Sequence, residues 1–179
     1  MGAVNGHLGT PPTDGAAQNM GGFVIAAVSV GSGILGIAPM PGITGHYDKD
    51  LAHLKDWKPA MVVSMTEPQE LQDAGVTTLA RDLQHSGTRW FHFPVPDFGV
   101  GDALQEPDWD VIRDTALSAL RGGGRVLIHC KGGRGRSGMA ALRLMIASGE
   151  GHKPALKRLR AVRPGAVETR AQQRWARAG

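Results

Sequence analysis

Read along its length, the sequence predicts a single α/β layer domain, and three observations carry that expectation. The chain has 179 residues, the size of one ordinary domain. With 41% apolar and 20% charged residues it can bury about 70% of the surface of its unfolded state, which excludes disorder throughout. From Asp48 onward strand-like and helix-like patterns alternate, with no internal repeat and no long linker.

The elements follow in order. The stretch up to Gly22 is rich in Gly, Pro, Asn and Thr, and the first 47 residues hold one charged side chain, Asp14, so residues 1–22 are expected to be a flexible leader and 23–179 the domain. Phe23–Ala38 is uncharged and mostly apolar, but it is only 16 residues long and is broken by Gly31, Gly33 and Gly36. It reads as a hairpin, Phe23–Val30 with Ile34–Ala38, and not as a membrane span. Asp48 is expected to cap a helix carrying Leu51, Leu54 and Trp57, and Ala60–Met65 to be a short apolar strand. Thr66 with Gln69 has the spacing of a capping box for a short helix ending at Gly75, and Leu79 and Leu83 mark another before Gly87. Arg89–Val95 reads as a strand with Trp90, Phe91 and Phe93 in the core. Pro94 and Pro96 stop it and release the loop Asp97–Asp102. Pro107 opens a helix through Val111, Ile112, Ala116, Leu117 and Leu120, closed by Gly122, Gly123 and Gly124. Arg125–His129 is the last strand, and after the segment Leu156, Leu159 and Val162 make the apolar stripe of a packed helix.

The chemistry lies in His129 to Gly138, H-C-K-G-G-R-G-R-S-G, between that strand and a helix expected from Ser137 to Gly149. Backbone N–H groups from Lys131 to Arg136 can curl around an anion while the helix dipole points at it, and Gly132, Gly133 and Gly135 permit the tight backbone. Cys130 at the lip is expected to be a thiolate with its pKa below the ordinary value. Arg136 can grip two phosphoryl oxygens with a planar fork that lysine lacks, and Ser137 can donate to the sulfur when it departs. His129 is expected to orient the loop. Given one cysteine, the chance of His before it and Arg, Ser or Thr, and Gly at the following spacings is about one in twenty-five thousand from the composition, so an inert core thiol is set aside.

C-K-G-G-R-G-R-S-G resembles the C-x5-R-[S/T]-G signature of the cysteine-dependent tyrosine and dual-specificity phosphatases. The stretch from about Ile34 to Trp175, including H-F-P-V-P-D and G-A-V-E-T-R-A-Q, resembles their compact, kinase-associated type. The resemblance implies a central mixed sheet flanked by helices. It also implies a general-acid aspartate some thirty residues before the cysteine, matched by Asp97 at thirty-three. Expulsion of an alkoxide or phenoxide needs a proton, and Asp97, then ionised, would activate water in the second step. Asp102 shares the loop and is the alternative, with helix capping as its structural explanation. Where the family has Q-T-x-x-Q for placing water, this chain has Glu168 and Gln172. Gln172 is a candidate substrate-side residue, and Glu168 is expected to turn away to Arg163 or Arg170.

The expected activity is therefore metal-independent hydrolysis of phosphomonoesters on protein side chains, tyrosine with serine and threonine, through a cysteinyl-phosphate and without a cofactor. Lys131 and Arg134 flank the cradle and keep a phosphoinositide or other polyphosphorylated substrate as the alternative; a non-catalytic phosphate-binding module is the second. Tyr47 is expected at the pocket rim. The net charge of +4 favours acidic partners without choosing one, no nucleic-acid partner is expected, and the oligomeric state is left open. One cysteine excludes an internal disulfide and a Cys-cluster zinc site, and a reducing cytoplasm fits best. His46, His53, His85 and His92 show no metal-ligand spacing.

Overall fold

The structure is a computed structural model and describes residues 22–178, so the expected leader, apart from Gly22, lies outside the described residues. Five strands form one mixed sheet in the order β1-β2-β5-β3-β4: β1 Ala26–Val30, β2 Gly33–Ala38, β3 Met61–Ser64, β4 Arg89–His92 and β5 Arg125–His129. β1 is antiparallel to β2, and all other pairings are parallel. The two-residue turn Gly31–Ser32 joins β1 to β2, with a positive φ of 57° at its first position only, the sign pattern of a type II′ hairpin turn.

Period-2 alternation divides the core between the two faces of the sheet. Val63, Val126 and Ile128 pack with α4 Glu106–Arg121, α5 Gly135–Ala147, α6 His152–Val162 and α7 Arg170–Arg177. Val62 and Leu127 face Leu51 and Leu54 of α1 Tyr47–Asp56 and Leu79 and Leu83 of α3 Leu79–Gln84. Both faces are covered, which is why the central parallel strands are apolar throughout. The C-terminal ends of β2, β3 and β5 lie side by side, with Ala38 and Ser64 each paired to His129. Their following loops therefore converge at one end of the sheet, the position where open parallel sheets bind ligands.

Several expectations at helix ends are corrected. Asp48 does not cap α1: the helix starts two residues earlier than that cap would set it, with His46 at the N-cap, and Asp48 sits in the first turn. The capping box of α2 Pro68–Asp73 is Glu67 with Glu70, not Thr66 with Gln69; Thr66 is buried in the bend between β3 and α2. β4 is four residues long, although Phe93 and Val95 still donate to Ser64 O and Met65 O around Pro94. Only Phe93 of its aromatic residues is buried, because β4 is an edge strand; Trp90 and Phe91 are half-buried. Val111 and Val162 are exposed. The helix α7 has no counterpart in the sequence-based expectation. Among the described residues no helix is long and apolar enough to cross a membrane.

Gly33 locks the hairpin onto α4. A Cβ there would lie 2.5 Å from Gly124 O and 2.7 Å from Leu120 Cα and O, all backbone atoms that cannot swing aside. Gly33→Ala is expected to lower unfolding stability by about 2–4 kcal/mol, measured by urea denaturation.

Candidate active site

β5 ends in the buried His129 and delivers Cys130 to the base of a cavity of about 580 Å³. The loop that follows turns through Gly133, whose φ is +64° and where any Cβ would collide with the Ala38–Pro39 backbone, so the chain passes too close to β2 for another residue. α5 then begins at Gly135, two residues earlier than expected, with Arg134 O accepting from Gly138 N at 3.0 Å. Gly135 and Arg136 are thus first-turn residues, whose N–H groups have no intrahelical acceptors and face the site with the positive end of the helix dipole.

Cys130 Sγ lies 3.2 Å from the buried Ser137 Oγ. Although only 3% exposed, the cysteine lines the cavity, so solvent and ligand reach it along the cavity axis. Arg136 is 1% exposed and turned inward. Glu70, on α2, takes its guanidinium in a two-pronged grip: Nη1 donates to Oε2 at 2.6 Å and Nη2 to Oε1 at 2.9 Å. Nη1 also donates to Val95 O at 2.9 Å, and Asp97 Oδ1 is 3.2 Å from Nη2. Nε has no protein partner although it is buried, which leaves one donor of a fixed guanidinium for a ligand.

The electrostatics follow from these contacts. Burial would raise Glu70, but the Arg136 hydrogen bond, the Glu67 N–H and the charges of Arg136 and Lys131 outweigh it and hold the carboxyl below its ordinary value. Burial would lower Arg136, and the Glu70 hydrogen bond with the charges of Cys130, Glu70 and Asp97 raises it instead. His129 is pushed down to about 4, first by burial, with the Cys130 backbone acting in the opposite sense and the positive field of Arg136 adding to the fall. Trp90 Nε1 donates to Ser64 Oγ at 2.8 Å, and the same oxygen is hydrogen-bonded to His129 Nε2 at 2.6 Å, which fixes the ring against β3.

The other candidates are placed as follows. Lys131, Gly132, Arg134 and Gly135 line the cavity with Cys130; Gly133 lies beneath it, buried. Asp97 is 53% exposed on the opposite wall, next to Phe98, which adopts a left-handed φ of 59°. Asp102 is held elsewhere: its Oδ1 accepts from Leu104 N and Gln105 N, so it caps a turn before α4. Gln172 does not line the cavity. Its Oε1 accepts from Glu168 N and Thr169 N, and its Nε2 donates to Gly99 O at 3.3 Å, so it ties the α7 entry to the Asp97 loop. Glu168 does not turn away to Arg163 or Arg170; its carboxylate lines the cavity against Gly135. Tyr47 is not at the rim either, because its hydroxyl donates to Asp82 Oδ2 at 2.8 Å.

Two residues hold the site in roles the sequence pattern does not assign: Glu70, and Arg163, which was expected only as a partner of Glu168. Glu70 was hidden inside a capping box, where the same Oε2 that meets Arg136 accepts from Glu67 N at 2.8 Å. Arg163 donates from Nε to Gly133 O and from Nη2 to Gly132 O, both at 2.8 Å, and so clamps the loop from α6.

Residues 40–176 match the family described as Swiss Army Knife protein, DSP-PTPase phosphatase domain. The chain belongs to this family. It is a cysteine-dependent phosphatase of the tyrosine and dual-specificity type, with the mixed α/β fold of that group. Cyclin-dependent kinase inhibitor 3 of Mus musculus is 32% identical over 145 residues, 77% of this chain and 67% of the relative. A solved kinase-associated phosphatase with its catalytic-site cysteine replaced by serine superposes with a TM-score of 0.77 at 25% identity, covering 88% of this chain and 93% of that one. Tk-PTP in its active form gives 0.64 at 30% identity, covering 80% and 89%.

The neutral, buried His129 makes this phosphatase acid-sensitive in a defined window. The unfolded chain takes up a proton near pH 6.5 that the native state refuses until about pH 4, so stability falls as pH drops between these values. The loss from this group between pH 7 and pH 5 is about 2 kcal/mol. Urea unfolding at the two pH values should show that difference shrinking in His129→Asn relative to the parent.

Proposed function

We propose that this phosphatase removes phosphate from phosphorylated protein side chains, tyrosine with serine and threonine, with Cys130 as nucleophile. The observation that carries the reading is the meeting at one cavity base of the Cys130 sulfur, the Ser137 hydroxyl at 3.2 Å, the α5 N-terminus and the unpartnered Nε of an otherwise fixed Arg136. In the first step the sulfur attacks phosphorus, the bond to the leaving oxygen breaks, and Asp97 protonates that oxygen. The trigonal phosphoryl group gains negative charge over its equatorial oxygens, and the donors left to meet it are the loop amides and Arg136 Nε; the expected fork onto two oxygens is not free, because Glu70, Val95 O and Asp97 hold both Nη atoms. In the second step water displaces the sulfur, and Ser137 supports the departing thiolate. Lys131, Gly132, Arg134 and Gly135 line the binding face, and His129 orients the loop from behind.

Support for a protein side chain as substrate comes from the cavity mouth, where Val24, Ile43 and Phe98 are exposed apolar residues that can pack on the carbon atoms next to a phosphate ester. The similarity to kinase-associated phosphatase points the same way. We place the domain boundary near residue 23: the family match begins at residue 40, yet the preceding hairpin is part of the same sheet, and Gly22 and Val24 line the cavity.

Three measurements test this function. Cys130→Ser should abolish release of para-nitrophenol from para-nitrophenyl phosphate measured with chelator present; retained turnover would overturn the nucleophile. Asp97→Asn should lower turnover about 10²-fold or more, most with alkyl esters, and remove the alkaline limb of the pH–rate profile; an unchanged profile would move the acid elsewhere. Parallel assays on phosphotyrosine peptide, phosphothreonine peptide and phosphoinositide vesicles decide the substrate class, and a preference for the vesicles would overturn the protein-substrate assignment.

A further inference from the structure

Two carboxylates line the cavity, and the chemistry above gives work to only one of them. We propose that Glu168 is the general base of the second half-reaction, taking the proton from the water that hydrolyses the cysteinyl-phosphate. The assignment rests on Cys130 being the nucleophile.

Position is the first ground. Glu168 shares the cavity with Cys130 and Arg136, and its Oε2 packs so closely on Gly135 that a Cβ at that residue would overlap it. Gly135 opens α5, so the carboxylate stands beside the amides that would hold the phosphoryl group. The segment carrying it is anchored on both sides. Val167 N donates to Arg134 O at 3.2 Å from a left-handed φ of 63°, and Glu168 N donates to Gln172 Oε1 at 2.9 Å.

Availability is the second. Among the described residues Glu168 forms no ion pair within 4 Å. Arg163, the expected partner, has its guanidinium committed to Gly132 O and Gly133 O. Asp97 is placed differently, with Oδ1 accepting from Phe98 N at 3.1 Å and sitting 3.2 Å from Arg136 Nη2. Asp97 Oδ1 is thus already occupied by two partners in the resting site. Charge balance is the third ground. A carboxylate beside a phosphoryl group is repelled unless cations offset it, and Lys131, Arg134 and Arg163 line the same cavity in addition to Arg136.

The step balances as follows. A water oxygen forms a bond to phosphorus as the S–P bond breaks, and the bonding pair returns to Cys130 Sγ. One water proton passes to the Glu168 carboxylate, inorganic phosphate leaves, and Glu168 later releases the proton to solvent. Asp97 serves the first step and regains its proton from solvent.

Rapid-quench kinetics on para-nitrophenyl phosphate separate the two steps. Glu168→Gln is nearly isosteric and restores the amide found in the family pattern, so it removes proton acceptance while leaving the site filled. The expected result is a burst of about one equivalent of para-nitrophenol, a steady-state rate lower by about 10²-fold, and phosphorylated Cys130 accumulating by mass spectrometry. Glu168→Asp should recover part of the steady-state rate. Parental turnover in Glu168→Gln with no accumulated phosphoenzyme would overturn the proposal, as would an equal slowing of burst and steady state. Cys130→Ser, run in parallel, should show neither burst nor turnover; turnover in that variant would instead overturn the cysteinyl-phosphate itself.

Discussion

A guanidinium buried to 1% exposure is the constraint around which this molecule is arranged. An uncompensated charge in such a place costs several kcal/mol, so the chain must bring it partners from far along the sequence. Glu70 arrives on α2, Val95 O at the end of the β4 ladder, and Asp97 on the loop beyond. Each belongs to a segment leaving the same end of the sheet, so satisfying Arg136 also fixes where those segments stop. The buried, unpartnered Nε is the one donor that remains after this satisfaction.

The loop itself is held by opposing clamps. From one side β2 presses so near that Gly133 alone fits, and Met40 N donates to Lys131 O at 3.2 Å. From the other, Arg163 takes two successive carbonyls, those of Gly132 and Gly133. Behind the loop, α5 is fixed by Arg143, which is buried, stacks 4.2 Å from the Trp175 ring and 5.4 Å from that of Trp109, and meets Glu106 at 2.8 and 3.1 Å. Because Glu106 opens α4 directly after the Asp97 loop, the nucleophile helix and the acid loop share one anchor.

What was legible in the sequence was what short-range physics encodes. β5 matched its expected limits, Arg125–His129, because three apolar residues between Arg125 and His129, set between Gly124 and a glycine-rich turn, leave little choice. The phosphate loop was legible because its spacing is local. Glu70 was not, since its contact with Arg136 spans 66 residues and the capping box expected beside it was set on Thr66 and Gln69 instead. Gln172 shows the reverse. Thr169-x-x-Gln172 is a capping box, and both of its reciprocal bonds are made, yet the family pattern drew the reading toward water placement.

Cys130 is the single sulfhydryl in the whole chain, and it lies in the cavity wall. Stoichiometry and site are therefore the same quantity: each equivalent of alkylating reagent consumed counts one competent centre, with no background from other thiols. A preparation of this enzyme can be standardised by its own chemistry, and a competing anion that shields the sulfur reads out directly as slower labelling.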